Sequence, residues 1–65
     1  MTVCLTDEDA SAAYYAYSFM LGRMGEIVAL NMAAEVLRAR HRDMDKQSAD
    51  QAALVLVEQI EAAQP

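Results

Sequence analysis

The feature that most constrains this chain is a reversal of its apolar face at Gly25. On a helical wheel of about 100° per residue, residues 7–42 do not keep a single stripe. Ala10, Ala13, Tyr14, Tyr17, Met20, Leu21, Met24 and Val28 share one side in the first half. In the second half that side carries Asn31, Glu35, Arg38 and Arg42, and the apolar stripe of Ala29, Ala33, Val36 and Leu37 lies opposite. A helix serving one core keeps one stripe. The segment therefore either breaks near Gly22–Gly25 or buries opposite faces against two different surfaces.

Helix is the expected state on both sides of that point. The sole proline is the final residue, and alanine, the strongest helix former, is abundant. An all-α fold follows. Thr6 followed by Asp7, Glu8 and Asp9 predicts a helix start, with a hydroxyl to cap it and three carboxylates at the positive end of its dipole. Keeping both glycines helical costs about 2 kcal/mol, and neither is followed by the proline or the Asn/Asp/Ser cluster of a usual turn. The sequence thus favours one long helix over 7–42, kinked at the glycines, with a break into three helices as the competing arrangement.

Cationic Arg38, Arg40, His41 and Arg42 suit a helix C-terminus. Residues 43–47 read as a turn, and Ser48 with Gln51 predicts a capping box opening a helix over 48–63, Asp45 being the alternative cap. The apolar face of this second helix comprises Ala49, Ala52, Ala53, Val55, Leu56, Ile60 and Ala63, with Leu54 alone on the polar side. The expectation is a single helical domain over 1–65, with 1–5 as a flexible arm and the two helices forming a hairpin.

A 65-residue chain is marginal as a monomer, and one cysteine allows no internal bridge. Oligomerisation is the remaining remedy, and an apolar fraction of 55% supplies the surface for it. The short second helix covers only half of the first, which leaves Tyr14, Tyr17, Met20, Leu21, Met24 and Val28 as the expected homodimer interface. Tyr15, Phe19 and Arg23, spaced four apart on another flank, are the expected contacts for a foreign protein, since aromatic and arginine anchors dominate binding energy.

Catalytic chemistry has no foothold in the sequence. Cys4 and His41 are single and far apart, so no nucleophile has a base and an orienting group. Asp43 and Asp45 fail as a calcium loop, with Ser48 where glycine is needed and Leu54 where a bidentate glutamate is needed. No cofactor or metal is expected. A net charge of −5 opposes nucleic-acid binding, and Arg23 and Glu26 interrupt the one stretch apolar enough to raise a membrane span. No targeting signal is expected, since Asp7, Glu8 and Asp9 follow at once on the short apolar Met1–Leu5. These features describe a cytoplasmic, non-enzymatic protein that binds itself and another protein, in the manner of an inhibitor, anti-activator, adaptor or co-chaperone. Its size also fits a phage or mobile-element product that disables a host protein. A small RNA- or DNA-associated regulator using Arg38, Arg40, His41 and Arg42 is the alternative.

Overall fold

The computed structural model describes residues 5–64. They form three α-helices, α1 over Asp7–Met24, α2 over Glu26–Arg40 and α3 over Lys46–Ala63. There are no strands among the described residues. The all-α expectation holds. The single helix over 7–42 does not: α1 and α2 are separate, and Gly25 alone lies between them.

Gly25 adopts φ 89° and ψ 173°, backbone that only glycine enters at low cost. Its N–H donates to the Leu21 carbonyl at 3.3 Å, and its own carbonyl accepts from Ala29 at 3.0 Å. One residue therefore closes α1 and opens α2. Gly22, three positions earlier, stays helical.

The break accounts for the face reversal. With α2 folded back along α1, stripes on opposite sides of a continuous helix both point inward. Ala13 and Tyr17 of α1 are buried with Ala29, Ala33 and Leu37 of α2, while Ala10, Tyr14, Met20 and Val36 are half-buried against them. Without the turn, the first stripe is left for a second copy to cover. Tyr17 of that stripe, worth about 1.5–3 kcal/mol as a buried large side chain, is covered within the chain instead, while Leu21 and Met24 stay exposed.

The helix α3 packs on α2 and scarcely touches α1. It buries Ala49, Ala53, Leu56 and Val57, a face rotated slightly from the expected one: Val57 is inside, while Val55 and Ala63 are exposed. Leu54 is exposed, as read from the sequence. Asp45, not Ser48, caps α3, accepting the Ser48 N–H at 3.0 Å. The helix consequently starts at Lys46, and the preceding turn spans 41–45 instead of 43–47. Among the described residues Leu37 is the sole large side chain that is fully buried; alanines fill most of the rest. Leu5, expected in a flexible arm, packs against this core, and Met44 from the turn is buried in it. The remainder of the arm, with Cys4, lies outside the described residues.

Candidate functional site

Part of the expected basic patch is taken up by the fold. Asp9, in the first turn of α1, is buried, its side chain only 5% exposed. It completes a capping box, in which its N–H donates to Thr6 Oγ1 at 3.1 Å and its Oδ2 accepts the Thr6 N–H at 3.0 Å. The same carboxylate reaches across to the end of α2, accepting from Arg40 Nε at 2.5 Å and from His41 Nε2 at 2.8 Å. A carboxylate only accepts, so Nε2 of His41 carries the proton in this contact. Glu8 adds an exposed contact to Arg40 at 3.6 Å, of little weight in water. Arg38 pairs with Glu35 at 3.5 Å. Of the four cationic residues singled out in the sequence, Arg42 alone makes no ion pair among the described residues.

This junction closes the open end of the α1–α2 hairpin, as Gly25 closes the other. The Arg40 guanidinium, the Thr6 N–H and His41 hold the Asp9 carboxyl well below the usual carboxylate range, against the opposing effect of burial. The side chain and N–H of Ser48 lower Asp45 in the same direction. A carboxylate depressed in the folded state contributes stability above its unfolded value, here near 3.8, and loses it as pH falls towards the folded value. Thermal melts on the acid side are therefore expected to show a falling midpoint below about pH 4, with a shallower fall in Asp9→Asn.

The expected dimer residues divide on the structure. Tyr17 is in the core of its own chain, 5% exposed, where burial raises its phenol pKa. It stacks on Tyr14, with centroids 5.8 Å apart and planes at 27°. Tyr17 therefore belongs to no free surface stripe, a correction to the expectation, whereas Tyr14 is half-buried. Met20 and Val28 are half-buried, whereas Leu21 and Met24 are exposed.

Tyr15 and Phe19, expected to meet a foreign protein, are 74% and 53% exposed. With Ala16, Met20 and Met32 they line a cleft of about 270 Å³, formed by α1 and α2 without α3. The Arg23 guanidinium carbon stands 4.6 Å from the Phe19 ring centroid, a cation–π contact that holds the arginine along this face. The sequence reading missed Met32. It lies on the opposite helix, and only the turn at Gly25 brings it beside Tyr15 and Phe19. A second groove, of about 480 Å³, lies between the start of α1 and α3, with Leu5, Ala10, Met44, Ala52 and Ile60 in its lining and Gln51 and Gln59 among its polar residues.

No group of acidic, histidine or cysteine side chains among the described residues could hold a metal ion, and no helix described is long and apolar enough to cross a membrane. No protein-family model, curated protein or solved structure matches the chain. The functional reading accordingly rests on the surface of the chain itself.

Proposed function

We propose that this chain is a non-enzymatic protein-binding module of the cytoplasm, acting as an inhibitor, anti-activator, adaptor or co-chaperone and self-associating as a homodimeric bundle. The observation that carries the reading is the concentration of exposed apolar side chains on the α1–α2 hairpin. Tyr15, Phe19, Leu21, Met24, Ile27 and Met32 all lie there, against Leu54 and Val55 on α3. The cleft of Tyr15, Phe19 and Met32 offers a partner protein a place for an apolar anchor, with Arg23 beside it to meet a carboxylate. Nucleic-acid binding is the weaker reading, because Arg38, Arg40 and His41 are engaged with Glu35 and Asp9.

The test is affinity capture from the native cell, followed by mass spectrometry and nucleic-acid staining. Specific protein bands are expected, and Tyr15→Ala or Phe19→Ala should weaken them by about 2 kcal/mol, roughly thirtyfold, with helicity unchanged. Capture of nuclease-sensitive material, abolished by Arg38→Ala with Arg42→Ala, would reverse the assignment.

A further inference from the structure

We infer that the groove between α3 and the start of α1 is a docking site for an amphipathic helix of a foreign protein, one whose apolar stripe is bordered by lysine or arginine. The inference rests on the protein-binding reading above and adds a second surface to it. The groove has a volume of about 480 Å³, and its apolar lining includes Leu5, Ala10, Ala52, Val55, Leu56 and Ile60. It stays open because α1 and α3 each pack on α2 and scarcely on each other.

The shape of the groove selects a helix. On α3, Ser48, Ala52, Val55 and Gln59 fall at i, i+4, i+7 and i+11, the stripe along which one helix packs on another. The neighbouring row of Ala49, Ala53 and Val57 is already buried. From Ser48 to Ile60 the wall runs about 18 Å, just over three turns. Val55, at the middle of the open stripe, is 50% exposed, and alanine at 10 and 52 lets a helix axis come close. Backbone chemistry points the same way. A helix satisfies its own N–H and C=O groups and so enters an apolar groove without leaving them unpaired. An extended segment needs a strand edge to pair with, and there is none among the described residues.

The charge around the groove selects the sign of the partner. No basic side chain lines it. Asp7 precedes Ala10 by three and Glu58 follows Val55 by three, so by helical position a carboxylate borders each wall. Neither makes an ion pair among the described residues, whereas Lys46 is held by Asp50 and Arg40 by Asp9 and Glu8. A helix with cations on both sides of its apolar stripe meets a carboxylate on each. A second copy, at −5, brings a net excess of carboxylates instead, and nucleic acid or an anionic lipid surface is repelled for the same reason.

Titration of the isotope-labelled full chain with a synthetic peptide of about 18 residues, leucine on one helical face and lysine on the other, tests the site by nuclear magnetic resonance. The expected result is a Kd of about 10–100 µM, with amide shifts concentrated at Ala10, Ala52 and Val55. The same residues in scrambled order, or a leucine–glutamate peptide of the same pattern, should bind at least about tenfold more weakly. Val55→Lys sets a cation in the groove and should weaken binding about tenfold, and Glu58→Lys several-fold, with circular dichroism unchanged because both positions are exposed. Equal affinity for the scrambled or glutamate peptide overturns the inference, as does unchanged affinity in Val55→Lys. Shifts centred on Tyr15, Phe19 and Met32 overturn it by moving the contact to the other cleft. Absence of binding at about 1 mM peptide also overturns it and leaves the protein-binding reading to the capture experiment, in which protein bands lost in Phe19→Ala but kept in Val55→Lys uphold that reading without this groove.

Discussion

Asp9→Ala is expected to cost more stability than any other single polar substitution, lowering the melting temperature by roughly 10 °C or more. The alanine removes the side-chain half of a capping box and leaves the Arg40 and His41 donors facing a gap at the end of α2. Donors deprived of their acceptor at a half-buried junction carry the loss, beyond the hydrogen bonds themselves. Asp9→Asn is the informative companion. It keeps the shape and an acceptor oxygen but not the charge, so it should fall between wild type and alanine. Differential scanning calorimetry of the three proteins ranks them, and equal midpoints for wild type and Asp9→Ala would contradict the role given to this carboxylate. Arg40→Ala should reproduce part of the effect, and the double variant with Asp9→Ala should fall short of the sum, because the two residues share one interaction.

The second large effect belongs to Gly25. Its φ of 89° with ψ of 173° is a conformation L side chains rarely adopt, so Gly25→Ala strains the turn although the space around it is open. A cost of about 1–3 kcal/mol follows, or several to some twenty degrees in midpoint for a domain this small. Gly22→Ala should act in the opposite sense. Gly22 is helical, exposed and unobstructed, and alanine there should stabilise by about 1 kcal/mol. Two glycines three residues apart, with opposite responses to the same methyl group, separate backbone conformation from packing. Urea titrations of both variants make the comparison, and a stabilised Gly25→Ala would show that the turn is not held at positive φ.

Much of this fold is legible in the sequence, and the failures have identifiable causes. The Thr6 cap, the start of α1 at residue 7, the end of α3 at residue 63 and the existence of two apolar stripes all follow from propensity, dipole and periodicity. The turn at Gly25 was harder to place. Its companion Gly22 has the same propensity cost yet remains helical, and nothing local to the sequence separates the two. What decides between them is the tertiary gain from bringing Ala13 and Tyr17 against Ala29, Ala33 and Leu37. The same limit governs the site. Tyr15, Phe19 and Arg23 could be found from their spacing, but Met32 joins them only through the turn. The cationic cluster is legible as a helix C-terminus, but the carboxylate it meets is not, for a related reason. Asp9 reads as one capping carboxylate among three, and its second role depends on the 30 residues between it and Arg40 closing into a hairpin.

The one-residue connection at Gly25 also bears on how fast the chain reaches this state. Each helix packs chiefly on its sequence neighbour, with α1 against α2 and α2 against α3. The links between them are a single glycine and a five-residue turn. Loops this short cost little closure entropy, and a topology of nearest-neighbour helices has low contact order, the condition for folding in microseconds to milliseconds. The longest-range element of the hairpin is the meeting of Asp9 with Arg40 and His41, which can form only after α1 and α2 have zipped from the turn. In folding terms, then, Gly25 opens the process and Asp9 completes it. Substitutions at Gly25 should slow folding, while substitutions at Asp9 should chiefly hasten unfolding.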